Sequence, residues 1–270
     1  MKPGSNVSSD PIYCGQVPFA RSNPSQAVAW LMRLIREDDP SGWHIHFANA
    51  WTVVIANGDS VFRKALASGV CFPDGLPVVW ASRLFKTGRQ GALQRVRGPS
   101  FFEDSIAAGL DLGLRHYLLG STVETLHTLQ SELRRRFPGV QIAGVSSPPF
   151  RELSESDWDL EVKKIDESGA EVVWVGMGTP KQDLAAVILS DRVGLPFVCV
   201  GAAFDFTAGN VKSAPKWMQT VGLEWAYRFF QEPRRLWKRY LFGNVQFVAI
   251  VVRQGLSQTI RAPRFKSPLR

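Results

Sequence analysis

The 270 residues are 45% hydrophobic and 21% charged, a balance that supports a large buried core and excludes wholesale disorder. No apolar run reaches the roughly 18 residues of a membrane span, because 195–206 and 247–252 are both too short, and the first twenty residues lack the apolar stretch of a secretory signal. Three widely spaced cysteines, Cys14, Cys71 and Cys199, with no CxxC pair, argue against a disulfide framework or zinc knuckle and suit a reducing compartment.

Residues 1–24, rich in Ser, Pro, Gly and Asn and without a period, predict a loose arm. From about 26 to 206 short apolar runs alternate with amphipathic stretches. The runs are 44–48, 70–72, 116–119, 140–143, 172–176 and 197–201; the helical patterns between them are 77–85, 101–112, 123–135, 157–168 and 181–191. This alternation predicts an α/β fold: a Rossmann-like, mostly parallel sheet of five or six strands with helices on both faces, over 25–211. The pattern changes at Ala214. Residues 212–256 predict an appendage of two or three helices, broken near Gly222, Pro233 and Gly243, and 257–270 a disordered basic tail.

The net charge of +8 is unevenly placed. Residues 212–270 hold twelve Lys and Arg against Glu224 and Glu232 alone, so the preceding 211 residues are close to neutral. A basic, aromatic-rich segment predicts an anionic partner such as phosphate, nucleic acid or an acidic membrane surface; a helical hairpin packing its aromatics on the body is the structural alternative.

In parallel sheets ligands bind at the carboxyl ends of strands. Asp74, in the run Phe72-Pro73-Asp74-Gly75, is displayed at such an end, either as a general base toward a hydroxyl or as a turn aspartate. Gly176 and Gly178 precede Lys181 and Gln182 in a strand–glycine–helix layout suited to phosphate, although Thr179-Pro180-Lys181-Gln182 also reads as a capping box. Asp205 follows the next strand, where it can accept a hydrogen bond from a nucleotide or serve as a turn residue. Asn49 ends the first strand, within reach of a sugar or nucleotide. His44 and His46 alternate on one face with no third ligand in view, so no metal site is predicted.

Taken in order, the segments Asn49-Ala50, FPDGLPVVW (72–80), RVRGP (95–99), LLGST (118–122), FPGVQIAG (137–144), SPPF (147–150), VWVGMGTPKQD (173–183), VGAAFDFTAG (200–209) and APKWMQTVGLEWAYRFFQEPRRLWKRYL (214–241) resemble the bacterial WecG/TagA/CpsF glycosyltransferases, family 26, over about residues 40–250. The resemblance implies an inverting transferase. It would move a sugar (N-acetylmannosamine, its uronic acid, glucose or similar) from a UDP-sugar to a saccharide on polyprenyl diphosphate, at the cytoplasmic, inner face of the bacterial membrane, without metal or other cofactor. It implies Asp74 as base, Gln182 in the donor pocket, and Arg228, Arg235 and Lys238, with Arg239 adjacent, toward diphosphate. A basic appendage on an anionic membrane surface, a possible homo-oligomer and no nucleic-acid partner complete that expectation. Two positions depart from the family pattern: Phe47 stands where a threonine is common, and Gly98-Pro99-Ser100 replaces Gly-x-Asp. The competing readings are a non-catalytic nucleotide-sugar or nucleic-acid binder, and an NAD-dependent oxidoreductase, which would need a third glycine and a ribose-binding acid not seen here.

Overall fold

The computed structural model describes residues 11–36, 42–84 and 93–261. In chain order the elements are β1 (Ile12–Cys14), β2 (Val17–Phe19), α1 (Pro24–Arg36), β3 (His44–Ala48), α2 (Ala50–Gly58), α3 (Ser60–Ser68), β4 (Val70–Pro73), α4 (Leu76–Leu84), α5 (Gly98–Gly109), β5 (Arg115–Gly120), α6 (Val123–Arg136), β6 (Gln141–Ser146), α7 (Glu155–Ser168), β7 (Val172–Gly176), α8 (Lys181–Val193), β8 (Phe197–Cys199), α9 (Ala203–Thr207), α10 (Lys216–Thr220), α11 (Glu224–Gln231) and α12 (Pro233–Arg261).

Strands β3 to β8 form one parallel sheet in the order β4-β3-β8-β7-β5-β6. The apolar runs are continuous because both faces are covered, and residue parity decides which face each side chain meets. Val172 and Trp174 join α1, α5, α6 and α9 in one core, whereas Val173 and Val175 join α7 and α8 on the other face. The chain passes from β3 to β4 on one side, then crosses to β5 on the other. This reversal beside β3 opens a crevice at the strands' carboxyl ends, the end at which Asn49, Asp74 and Gly176, the last residue of β7, all lie.

The expected loose arm gives way to the β1–β2 hairpin, whose Cys14, Val17 and Phe19 are buried with α2, α3 and Phe247 of α12. Residues 1–10 and 262–270 lie outside the described residues. The alternation of buried Cys14, Val17 and Phe19 is short, and its partner surface is distant in sequence, so no local period revealed it. Gln254 of α12 accepts from Gly15 N–H (2.7 Å) and donates to Tyr13 carbonyl (2.9 Å), joining the hairpin to α12.

The appendage breaks at Gly222, which has φ +81°, and at Pro233, which opens α12. It does not break at Gly243. That glycine lies mid-helix because a Cβ there would come within 2.7 Å of the Trp51 ring on α2. Its absence of a side chain serves close helix approach rather than a turn. Gly243→Val is expected to lower unfolding stability by about 1–3 kcal/mol through overpacking against Trp51, as chemical denaturation would measure.

Candidate active site

Asp74 is fixed by the backbone around it. Its N–H donates to Ala48 carbonyl at the end of β3 (3.0 Å), and its carbonyl accepts from Arg95 Nε (2.6 Å). Its carboxylate Oδ1 accepts from Gly98 N–H, the first residue of α5, at 3.0 Å. Oδ2 accepts no hydrogen bond from a described residue, and Asp74 lines a cavity of about 660 Å³. The carboxylate therefore has one anchored oxygen and one oxygen available to a ligand, which a turn aspartate alone does not require.

The opposite wall of that cavity is the appendage. Arg95 and Arg97 grip Glu224 at the start of α11: Arg97 Nη2 lies 2.7 Å from Oε1, and Arg95 bonds Oε2 while its Nη1 donates to Gln219 carbonyl (3.2 Å). Arg95 thus ties the Asp74 loop directly to the appendage. Burial pushes the Glu224 carboxyl up, and hydrogen bonds and charge from Arg97 and Arg95 outweigh it, so the group sits below its ordinary 4.5. A carboxyl depressed on folding contributes stability above its unfolded value, and the contribution disappears as pH falls from about 4.5 through the depressed value. Glu224→Gln is expected to lower the melting temperature at neutral pH and to flatten its decline in that acid window, as calorimetry across the window would read.

Arg228 of α11 lines the same cavity. Its Nε is buried without a hydrogen-bond partner, and its guanidinium lies 5.4 Å from the Phe206 ring centroid. Arg97 meets the same ring at 5.3 Å. Phe206 of α9 thereby holds two cations beside the crevice through its ring quadrupole. Arg239 of α12 also lines the cavity. The backbones of Arg235 and Lys238 belong to α12, but their side chains lie outside the described residues.

Asn49 lines the cavity and caps α2: its Oδ1 accepts from Trp51 N–H (3.0 Å) and Thr52 N–H (3.3 Å), leaving the amide nitrogen for a ligand. The segments after β7 and β8 are not part of this cavity's lining. Gly176 is there for packing, since a Cβ would stand 2.4 Å from the Phe204 ring. Gly178 is the open one, with φ +76° and no atom within 4 Å of a Cβ. The capping box expected at Thr179 does not form: α8 starts at Lys181, after a cis Thr179–Pro180 bond. Gln182 instead reaches back inside, accepting from Gly178 N–H (3.0 Å) and donating to Cys199 carbonyl (3.2 Å), so it braces the ends of β7 and β8. Lys181 is exposed beside that loop, and Asp205 is half-buried on α9.

The two histidines gain a third group from other elements. His46 Nδ1 lies 2.8 Å from Asp183 Oδ1, and its Nε2 lies 2.7 Å from His44 Nδ1. His46, Asp183 and Cys199 present ligand-type atoms within 4.8 Å of one another, all buried. Burial first, then the neighbouring His46, pushes His44 down to about 3, so it is neutral. Burial, reinforced by Asp183, pushes the Cys199 thiol well up. The set makes a buried hydrogen-bonded network beneath α8; the His-x-His pattern showed two members, and the topology supplied the others.

The sequence reading assigned no role to Arg95, Arg97 or Glu224. A signal was present: Glu224 is one of only two acids in a stretch of twelve bases, and RVRGP places two arginines on one side of a strand-like run. Phe47, one departure from the family pattern, packs against Gly98, the glycine that the other departure keeps: a Cβ there would meet the buried Phe47 ring at 3.4 Å.

Two comparisons bear on this geometry. The chain is 29% identical over 229 residues, covering 83% of its own length and 85% of the relative, to an N-acetylglucosaminyldiphosphoundecaprenol N-acetyl-beta-D-mannosaminyltransferase of Bacillus subtilis (strain 168). The family model for glycosyl transferases of the WecG/TagA/CpsF type matches residues 12–261, which takes in the hairpin, the sheet and the whole described appendage. The chain belongs to the WecG/TagA/CpsF glycosyl transferase family.

Proposed function

We propose that the protein transfers an N-acetylhexosamine-type sugar, N-acetylmannosamine in the first instance, from its UDP conjugate to a saccharide carried on polyprenyl diphosphate, with inversion at the anomeric carbon. The observation that carries this reading is the pairing of Asp74, one oxygen anchored and the other available, with Arg228 and Arg239 in the same cavity wall. The acceptor hydroxyl gives its proton to Asp74 Oδ2 as its oxygen attacks the anomeric carbon; the bond to UDP breaks on the opposite face and the electron pair leaves on the diphosphate. Arg228 and Arg239 hold the acceptor's diphosphate, for which guanidinium forks are suited. The donor lies along Gly178, Lys181 and Asp205 at the ends of β7 and β8, and Gln182 keeps that loop in shape. No metal is required in this scheme, and chelation is expected to leave the rate unchanged.

The same reading places the protein on an anionic membrane surface. Among the described residues no helix is long and apolar enough to cross a membrane. One face of α12 instead exposes Trp237, Leu241, Val245, Val248, Val252 and Leu256 at helical spacing, with exposed Arg234 and Arg253 on the same helix. Each such cation near an anionic surface contributes about 1 kcal/mol.

The test is UDP release with a panel of UDP-sugars and N-acetylglucosaminyl-diphosphate polyprenol as acceptor, with the product's anomeric configuration read by NMR. Acceptor-dependent release from UDP-N-acetylmannosamine with an inverted product is expected. Release from another UDP-sugar alone would correct the donor, and acceptor-independent hydrolysis or a retained anomer would sink the mechanism.

A further inference from the structure

The chemistry at Asp74 uses only one end of the 660 Å³ cavity. Away from Asp74, Arg228 and Arg239 its walls turn apolar: Trp51 on α2, Trp80 and Leu84 on α4, and Phe247, Val248, Val251 and Val252 on α12. Among the α12 residues past Tyr240, Asn244 is the one polar side chain in the lining. A sugar or nucleotide bound at that end would leave its hydroxyls without partners, which such walls penalise. Inorganic phosphate alone would leave the walls wetted.

The two tryptophans are set in place by the appendage. Gly243 lies close to the Trp51 ring, and Gly222 to the Trp80 ring, where a Cβ would come within 2.8 Å. The apolar end is also open to the exterior along a greasy path. Val248 and Val252 line the cavity, yet are 58% and 54% exposed, and both belong to the exposed stripe of α12. Leu84 and Trp80, in the lining on α4, are 73% and 47% exposed. The cavity therefore joins a cationic end beside the base to an apolar surface outside, Val248 and Val252 belonging to both.

We propose that this cavity is a slot for the first isoprenyl units of the acceptor, lying between α2, α4 and α12, so that the enzyme binds the lipid's hydrocarbon itself and not only its diphosphate. The inference rests on the acceptor class given above. Its consequence is that acceptor preference reads the lipid as well as the saccharide: the units next to the diphosphate leave the bilayer for the slot, while the remaining chain stays along the stripe.

The test uses the full chain in buffer without vesicles, and calorimetric titration with farnesyl diphosphate, below its micelle concentration, beside methyl diphosphate. The two share a diphosphate and differ in hydrocarbon. Farnesyl diphosphate is expected to bind about tenfold tighter or better, given the free energy of burying hydrocarbon carbons. The double change Val248→Gln and Val252→Gln alters two residues already over half exposed, so the fold is expected to survive, as its melting curve checks. It should bring the ratio to within about threefold. Equal affinities in the wild type, an unchanged ratio in the variant, or a preference seen only when vesicles are added would each overturn the slot, the last leaving a surface contact only. Because this readout involves no sugar, it is separate from the transfer reading. Farnesyl selectivity with no transfer to a farnesyl-diphosphate-linked saccharide would refute the transferase and keep the slot; transfer without selectivity would do the reverse.

Discussion

Asp74→Asn is expected to cut sugar transfer by about a thousandfold or more while leaving the melting temperature within a few degrees, the scale of loss known for positioned general bases. The argument is local. The anchored oxygen is held by Gly98 N–H, and an asparagine Oδ1 accepts that bond equally well, so the loop after β4 and the start of α5 keep their places. Only the second oxygen changes, from an acceptor able to take a proton to an amide that cannot. Substrate binding should hardly move, so the loss falls in kcat. Calorimetry of UDP binding beside steady-state UDP release separates the two, and comparable kcat values in both proteins would remove Asp74 from the mechanism.

Arg228→Ala is expected to lower kcat/KM by about a hundred- to a thousandfold, the scale for truncating one partner of a hydrogen-bonded charge pair at a binding site. Arg228 has no carboxylate partner among the described residues, and its Nε is buried without a hydrogen bond, which is the ground for proposing that its companion is a bound diphosphate. Phe206 keeps it in place at 5.4 Å. Arg228→Lys should recover only part of the loss, because an ammonium cannot form the two parallel bonds of a guanidinium fork. Arg97, on the same ring, is committed to Glu224 and cannot substitute. A variant with unchanged kinetics toward the diphosphate acceptor would assign Arg228 to holding α11 against α9 and nothing more.

The contrast between these two residues shows how the site became legible. Asp74 was readable because its signal is local: Pro73 keeps the preceding residue extended, Gly75 permits the turn, and a carboxylate between them is displayed. The six sheet strands were readable for the same reason, since continuous apolar runs between helical periods are a property of neighbouring residues. Gln182 was readable as part of the helix start after the fifth strand run, but not its partners, because Gly178 N–H and the Cys199 carbonyl at the end of β8 are brought to it by the sheet. Gly176 and Gly178 read alike in sequence; only Phe204, on α9 after the next strand, makes the first a packing glycine and leaves the second open. Gly243 reads as a breaker until Trp51, nearly two hundred residues earlier, is seen pressing on it.

The amino-acid order alone determined the α/β alternation, the basic appendage, the aspartate at the strand end and the family, because each depends on residue types at short spacing. The tertiary structure decided what those parts do to one another. The hairpin at one end of the chain was tied to the last helix, Arg95 and Arg97 were joined to Glu224, and two tryptophans of the body were closed over by two glycines of the appendage. Those contacts span more than a hundred residues, and their geometry is set by the packing of whole elements, which no local pattern encodes.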